Sequence, residues 1–142
     1  MFSKKIILFA FAAIALLNSC KKDDATPDNT ALITTGKWKL TAETTASVNS
    51  YGNYLACEKD DTYAFATDGK VTIDEGATKC SASDPQTTTG SWAFSGTEKK
   101  KVILTAGGIA VNCDITELTT TSLKWTYTNP FDNKIVVQTY GK

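Results

Sequence analysis

The chain has 142 residues, with 15 lysines, no arginine, no histidine and 15 aspartates plus glutamates, and is formally neutral. The missing residue types remove the commonest general base, the commonest zinc ligand and the bidentate phosphate clamp. The even charge excludes the concentrated basic face of a nucleic-acid binder. At 42% hydrophobic residues there is apolar material for one small core.

Lys4 and Lys5 precede twelve apolar residues, Ile6 to Leu17. A membrane-spanning helix needs about 20, so the run reads as the core of an export signal. Leu17-Asn18-Ser19-Cys20 follows. It resembles the lipobox of bacterial lipoproteins, with Asn18 where that family has a small or hydroxyl residue. The resemblance implies cleavage before Cys20 and acylation, by palmitate-like chains, of its sulfur and new amino group. Removing residues 1–19 leaves 123 residues, with 13 lysines against 15 carboxylates, a net charge of −2. Each buried methylene contributes about 0.8 kcal/mol, so two or more acyl chains anchor a protein stably. Residues 20–30 are polar, with one proline, and read as a flexible tether. Asp23-Asp24 beside Cys20 is similar to a surface-export signal, so an outer-membrane lipoprotein facing the periplasm and one facing the cell exterior both stay open.

From Gly36 onward the apolar residues alternate with period two, the signature of strands with one wet and one dry face. Trp38 and Leu40, Tyr63 and Phe65, Val71 and Ile73, Trp92 and Phe94, and Val102 and Leu104 mark the first five runs. Ile109 to Ile115, Leu123 to Tyr127, and Ile135 with Val137 mark the last three. The pattern predicts no helix after the signal beyond a short turn over residues 31–35. Pairing Tyr63 with Ile73 and Phe65 with Val71 leaves a three-residue loop with Gly69 at the left-handed position. Short connections favour neighbours in sequence pairing antiparallel. A meander closes its exposed edges by becoming a barrel, so residues 31–142 are expected to form an all-β, eight-stranded, antiparallel up-and-down barrel; an open sandwich is the alternative.

Gly36-Lys37-Trp38 resembles the Gly-x-Trp start of lipocalins, and with the strand order it extends the resemblance over residues 31–140. Together with the lipobox, the chain resembles the lipocalin-like domain lipoproteins of bacteria. The family places an arginine against that tryptophan; here only a lysine such as Lys134 or Lys142 can take its place. The resemblance implies a container for apolar ligands.

Cys57 and Cys80 fall just beyond the strand ends of one hairpin and are predicted to form a disulfide, as an exported protein allows. Closing about 23 residues, it contributes roughly 3 kcal/mol in the chain-entropy model. Cys113 shares the parity of Val111 and Ile115 and should point inward as a small apolar residue.

Strand direction places residues 44–60 at the end far from the tether, with the loops at 76–88, 106–108 and 129–133. Candidate ligand-binding residues at that mouth are Leu40, Tyr63, Ile73, Trp92, Leu104, Val111, Trp125 and Tyr127. Trp38, Phe65, Val71, Phe94, Ile115 and Leu123 should plug the tethered end. Tyr51, Tyr54 and Leu55 either cover the mouth or pack on its shoulder. Glu58, Asp60, Asp61, Asp74 and Glu75 cluster at one strand end, with Asp61 facing Glu75; without a calcium-loop spacing they read as solvated carboxylates rather than a metal site. Lys99-Lys100-Lys101 either touches anionic lipid or protects a strand edge. No nucleophile has a base beside it, so no catalytic residue and no cofactor is expected. The expected function is non-catalytic: a membrane-anchored monomer binding a small apolar or amphipathic molecule at the barrel mouth. The alternative is a protein-interaction or inhibitor module with a filled barrel.

Overall fold

The strands form where the sequence alternates. In a computed structural model describing residues 28–142, β1 (Trp38–Thr45), β2 (Val48–Asn49), β3 (Thr62–Phe65), β4 (Lys70–Asp74) and β5 (Thr87–Ser95) are followed by β6 (Lys101–Ala106), β7 (Ile109–Leu118), β8 (Ser122–Thr128) and β9 (Ile135–Gly141). Neighbours from β3 to β9 pair antiparallel in chain order, β1 pairs with β3, and β1 pairs again with β9. The sheet is therefore a closed up-and-down barrel of eight strands, with β2 a two-residue appendage on β1. Closure removes the exposed edges that an open meander would present. The segments expected to be an export signal, the acylated Cys20 and the tether up to Pro27 lie outside the described residues.

The expected register holds: Tyr63 faces Ile73 and Phe65 faces Val71. The turn closes with the Gly69 amide donating to Ala66 O at 3.1 Å and with Gly69 at φ +83°, a conformation in which a Cβ is strained. The disulfide also forms as expected, Cys57 to Cys80 with Cα atoms 5.2 Å apart, and Cys113 is a buried free thiol.

Three features depart from the period-two reading. Residues 29–34 form a helix, α1 (Asn29–Thr34), rather than a short turn, so regular structure is present ahead of the expected boundary at Ala31. Its Ile33 is fully buried, and Ile33 O accepts from Trp38 Nε1 at 2.8 Å; the helix is the floor of the barrel. The loop after β2 carries a 3₁₀ turn (Tyr51–Asn53) and a short helix, α2 (Ala56–Lys59), where Glu58 caps the Leu55 amide. In β9 the inward parity belongs to Val136, Gln138 and Tyr140, with Ile135 exposed, which reverses the assignment of Ile135 and Val137. Val136 and Val137 are equally apolar, so alternation alone does not choose between the two parities.

The lower interior is filled as expected: Trp38, Phe65, Val71 and Leu123 are buried, with Phe94 and Ile115 packed against them, and Val102 joins them. Aromatic rings run edge-to-face up the barrel, Phe94 to Trp92 at 5.3 Å, Trp92 to Phe65 at 5.5 Å, Phe65 to Trp125 at 6.2 Å and Trp125 to Tyr140 at 5.0 Å. Lys142 lies over the Trp38 ring, its Nζ 4.0 Å from the centroid; of the two lysines named above it is the one that reaches this tryptophan, while Lys134 pairs with Asp132.

Candidate functional site

The upper interior is built by a bulge. In the β1–β9 ladder the register shifts between Leu40 and Ala42, so the inward parity passes from Trp38 and Leu40 to Glu43, which is buried. A β-bulge re-aims every later side chain of its strand, and strict alternation would have placed Glu43 in solvent.

Glu43 is satisfied on both oxygens. Ser50 Oγ donates to Oε1 at 2.7 Å, and Tyr54 OH and Gln138 Nε2 each donate to Oε2 at 2.7 Å. Gln138 Oε1 accepts in turn from Trp125 Nε1 at 2.9 Å and from Tyr140 OH at 2.8 Å. This continuous polar line joins the loop after β2, the seam and the aromatic stack. A buried acceptor with three donors is rigidly placed. Desolvation, with the Glu43 carboxyl as a further cause, pushes the Tyr54 phenol well above the usual range; burial likewise raises Tyr140, and raises Tyr127 and Tyr63 to about 12. These phenols are neutral hydrogen-bonding groups at physiological pH.

Beside this line lies a cavity of about 160 Å³, lined by Tyr63, Leu104, Val111, Cys113, Trp125, Tyr127, Gln138 and Tyr140. Five of the eight sequence candidates are brought together here: Tyr63, Leu104, Val111, Trp125 and Tyr127. Leu40, Ile73 and Trp92 are not among the lining residues. Leu40 is packed in the core, and its carbonyl accepts from Tyr51 OH at 3.2 Å. Ile73 is half-buried in the wall between Tyr63 and Thr88. Trp92 belongs to the closed end, with Nε1 donating to Ala66 O at 2.9 Å beside the Gly69 turn. Its strand enters from the mouth at Thr87, so Trp92 lies well down β5.

Sequence reading missed Glu43, Gln138 and Tyr140 as members of the upper chamber, and pointed Cys113 inward, as found, without assigning it to the chamber. Gln138 and Tyr140 share a parity, a signal that the apolar Ile135 and Val137 outweighed. The Cys113 thiol is pushed up to about 12, chiefly by burial; it lines the cavity as an inert small group. Of the two readings of the lid, Tyr54 latches to Glu43 over the seam and Tyr51 packs beside it, ring centroids 5.8 Å apart, whereas Leu55 is exposed.

The carboxylate cluster is only partly solvated: Asp60 and Asp74 have structural partners, while Oδ1 of Asp60 and of Asp61 is buried without one among the described residues. Asp60 Oδ2 accepts from the Ala77 and Thr78 amides at 3.0 Å each. Asp74 accepts from Gln86 at 2.9 Å and pairs with Lys37 at 3.1 Å. Asp61 is raised to about 6 by desolvation first and by Glu75 and Asp60 after it. Among the described residues no group of three or more carboxylate or cysteine side chains is placed to hold a metal ion. The basic run at the floor is paired as well: Lys99 with Asp28, Lys100 with Glu98 and Lys101 with Asp114.

A closed eight-stranded meander, opened by Gly36-Lys37-Trp38, floored by a short helix and holding a cavity near its mouth, is a lipocalin-type barrel. The model of the lipocalin-like domain family matches residues 34–125, and the chain belongs to that family. No curated protein matches the sequence.

Proposed function

We propose that the protein is a membrane-anchored, non-catalytic lipocalin-like lipoprotein that binds one small apolar or amphipathic molecule in the upper chamber. The anchor rests on the sequence alone: the short apolar run ending in Leu17-Asn18-Ser19-Cys20. Such a protein is an outer-membrane lipoprotein, facing the periplasm or the exterior. The observation that carries the binding reading is the cavity of about 160 Å³, whose Leu104, Val111, Trp125 and Tyr127 walls are joined by one amide, Gln138. Ligand sites commonly combine apolar walls with few polar groups. The volume is below the ~300–1,000 Å³ usual for such sites, so the buried part of the ligand is a single ring or a short chain. Haem-sized and retinoid-sized ligands do not fit whole.

The test is quenching of tryptophan emission by a panel of single-ring and short-chain amphiphiles. Saturable one-to-one quenching in the wild type, lost in Val111→Phe, supports the reading; no quenching across the panel removes it.

A second reading keeps one observation of its own. Val48, Leu55, Phe131 and Ile135 are exposed apolar residues, Phe131 at 78%, and all lie on mouth-side segments. In that reading the barrel is a rigid base that presents these residues to another macromolecule.

A further inference from the structure

The barrel wall is incomplete at two places near the mouth. The first is between β1 and β3, whose ladder holds only Trp38 with Tyr63 and Lys39 with Thr62. There the chain fills its own gap: the Ser50 amide donates to Glu43 O at 3.0 Å, and Tyr51 OH reaches Leu40 O. The second is between β7 and β8. Their ladder stops at Asp114 with Thr126, although β7 continues upward on β6 to Ile109 and β8 continues on β9 to Thr128.

The second opening is a groove of about 420 Å³. Its lining takes residues of both parities: Ala110, Asn112 and Thr128 from the outer face, and Val111 and Tyr127 from the inner. Consecutive side chains of a strand point to opposite faces, so a lining of both parities fits an opening at the unpaired strand edges above Asp114 and Thr126. Val111 and Tyr127 also line the inner cavity, so the slot and the cavity share these two residues.

The slot edges carry hydrogen-bonding backbone. The Ile115 amide donates to Lys100 O at 2.7 Å, which turns the odd-numbered amides of β7 toward β6. By alternation, the N–H and C=O of Ala110 and Asn112 point toward β8, above the last ladder pair. On β8, the Asn129 amide bonds to Lys134 O, so Thr128 by the same rule points its backbone toward β7. Donors and acceptors on both edges of the slot thus lack ladder partners, and such groups favour a ligand that pairs with them. Among the described residues that line it, Asp114 is the one charged side chain, and it is already paired with Lys101. The slot offers no cation to an anionic headgroup.

We propose that the β7–β8 slot is the lateral admission route and the polar subsite for an uncharged amphiphile: a ring or short acyl chain seated against Trp125 and Tyr127, and an amide- or hydroxyl-bearing part bonded to the Asn112 and Thr128 backbones. This rests on the small-ligand reading and adds to it the route, the polar contacts and the preference against carboxylates. Fatty acids of equal chain length bind more weakly, since their carboxylate gives up water and finds no charged side chain among the lining residues but Asp114, whose lysine partner is already taken.

The experiment uses octanoyl-glycinamide and octanoate as probes of the wild type, Ala110→Phe and Thr128→Phe. Two slot variants are used so that failure of one to fold leaves the other. In the wild type the amide binds about tenfold more tightly than octanoate, and exchange of the Asn112 and Thr128 amide protons slows on binding. Each variant that retains the wild-type circular dichroism spectrum admits the amide about tenfold more slowly. Equal association rates in wild type and variants, or unchanged exchange at Asn112 and Thr128, overturn the slot while leaving the chamber. Equal affinity for amide and acid overturns the ligand class. Binding of neither probe to the wild type removes the small-ligand reading and this inference with it.

Discussion

Glu43 and Gln138 face each other across the β1–β9 seam, and the Gln138 amide donates to the Glu43 carboxylate at 2.7 Å. The contact that closes the barrel is therefore also the centre of its polar interior. Removing Glu43 strands three donors, those of Ser50, Tyr54 and Gln138, in a largely buried place. Leaving buried donors unpaired costs about 1–3 kcal/mol apiece, in part recovered by water. Glu43→Ala is expected to lose about 3 kcal/mol in urea unfolding, and Glu43→Gln less. A loss within about 0.5 kcal/mol of zero for Glu43→Ala means the line is not structural.

Lys142 covers the Trp38 ring at the opposite end, and burial draws its ammonium below the usual lysine value. The ring contact works against that cost; a cation over an aromatic face contributes about 0.5–2 kcal/mol. Lys142→Met keeps the aliphatic stem and removes the charge. It is expected to lower stability by about 0.5–1 kcal/mol by denaturant midpoint, whereas Lys134→Met, at an exposed pair with Asp132, changes it little.

Asp61 carries a pH signature. Its carboxyl is raised to about 6, so between about pH 4 and 6 the folded chain holds a proton that the unfolded chain has released. Stability from this group therefore falls as pH rises through that window. Asp28, Asp68, Asp74 and Asp132 are held below the usual carboxylate value by hydrogen-bonding partners and act in the opposite sense. Comparing Asp61→Asn with the wild type isolates the one group. The variant is expected to melt higher than the wild type at pH 7.5 and nearly level with it at pH 4; a constant difference across that range would refute the shift.

The β1–β2 turn is made by Ala46 at φ +48° and Ser47 at φ +67°. A two-residue hairpin of this hand wants Asn-Gly, and side chains other than glycine are strained at positive φ. Ser47→Gly is expected to raise stability by about 0.5–1 kcal/mol, measured by thermal unfolding. A destabilised variant would show that the Ser47 side chain contributes something its surroundings do not reveal.

What was legible in the sequence was whatever alternation or turn chemistry specifies locally. Tyr63 against Ile73, the Gly69 turn, the Cys57–Cys80 bridge and the plug around Trp38 and Phe65 all follow from period and punctuation. Glu43 was illegible because one bulged residue at Thr41 reverses the parity of a strand, and nothing in Leu40-Thr41-Ala42 announces it. Trp92 was misplaced along the axis rather than across the wall: parity gives the face, but only the β4–β5 register fixes the height. The slot was hidden for a third reason. Residues 109–113 and 127–128 alternate as well as any paired strands do, and whether two strands meet is decided by the curvature of the closed sheet.

The central claim is that the upper chamber holds a small molecule. Native mass spectrometry of the full-length protein purified from its own host tests it most directly. The expected spectrum shows a one-to-one complex with a small uncharged amphiphile that is released on unfolding and absent from Val111→Phe. A bare protein mass, in a preparation whose tryptophan emission also ignores every short-chain and single-ring probe, would contradict it.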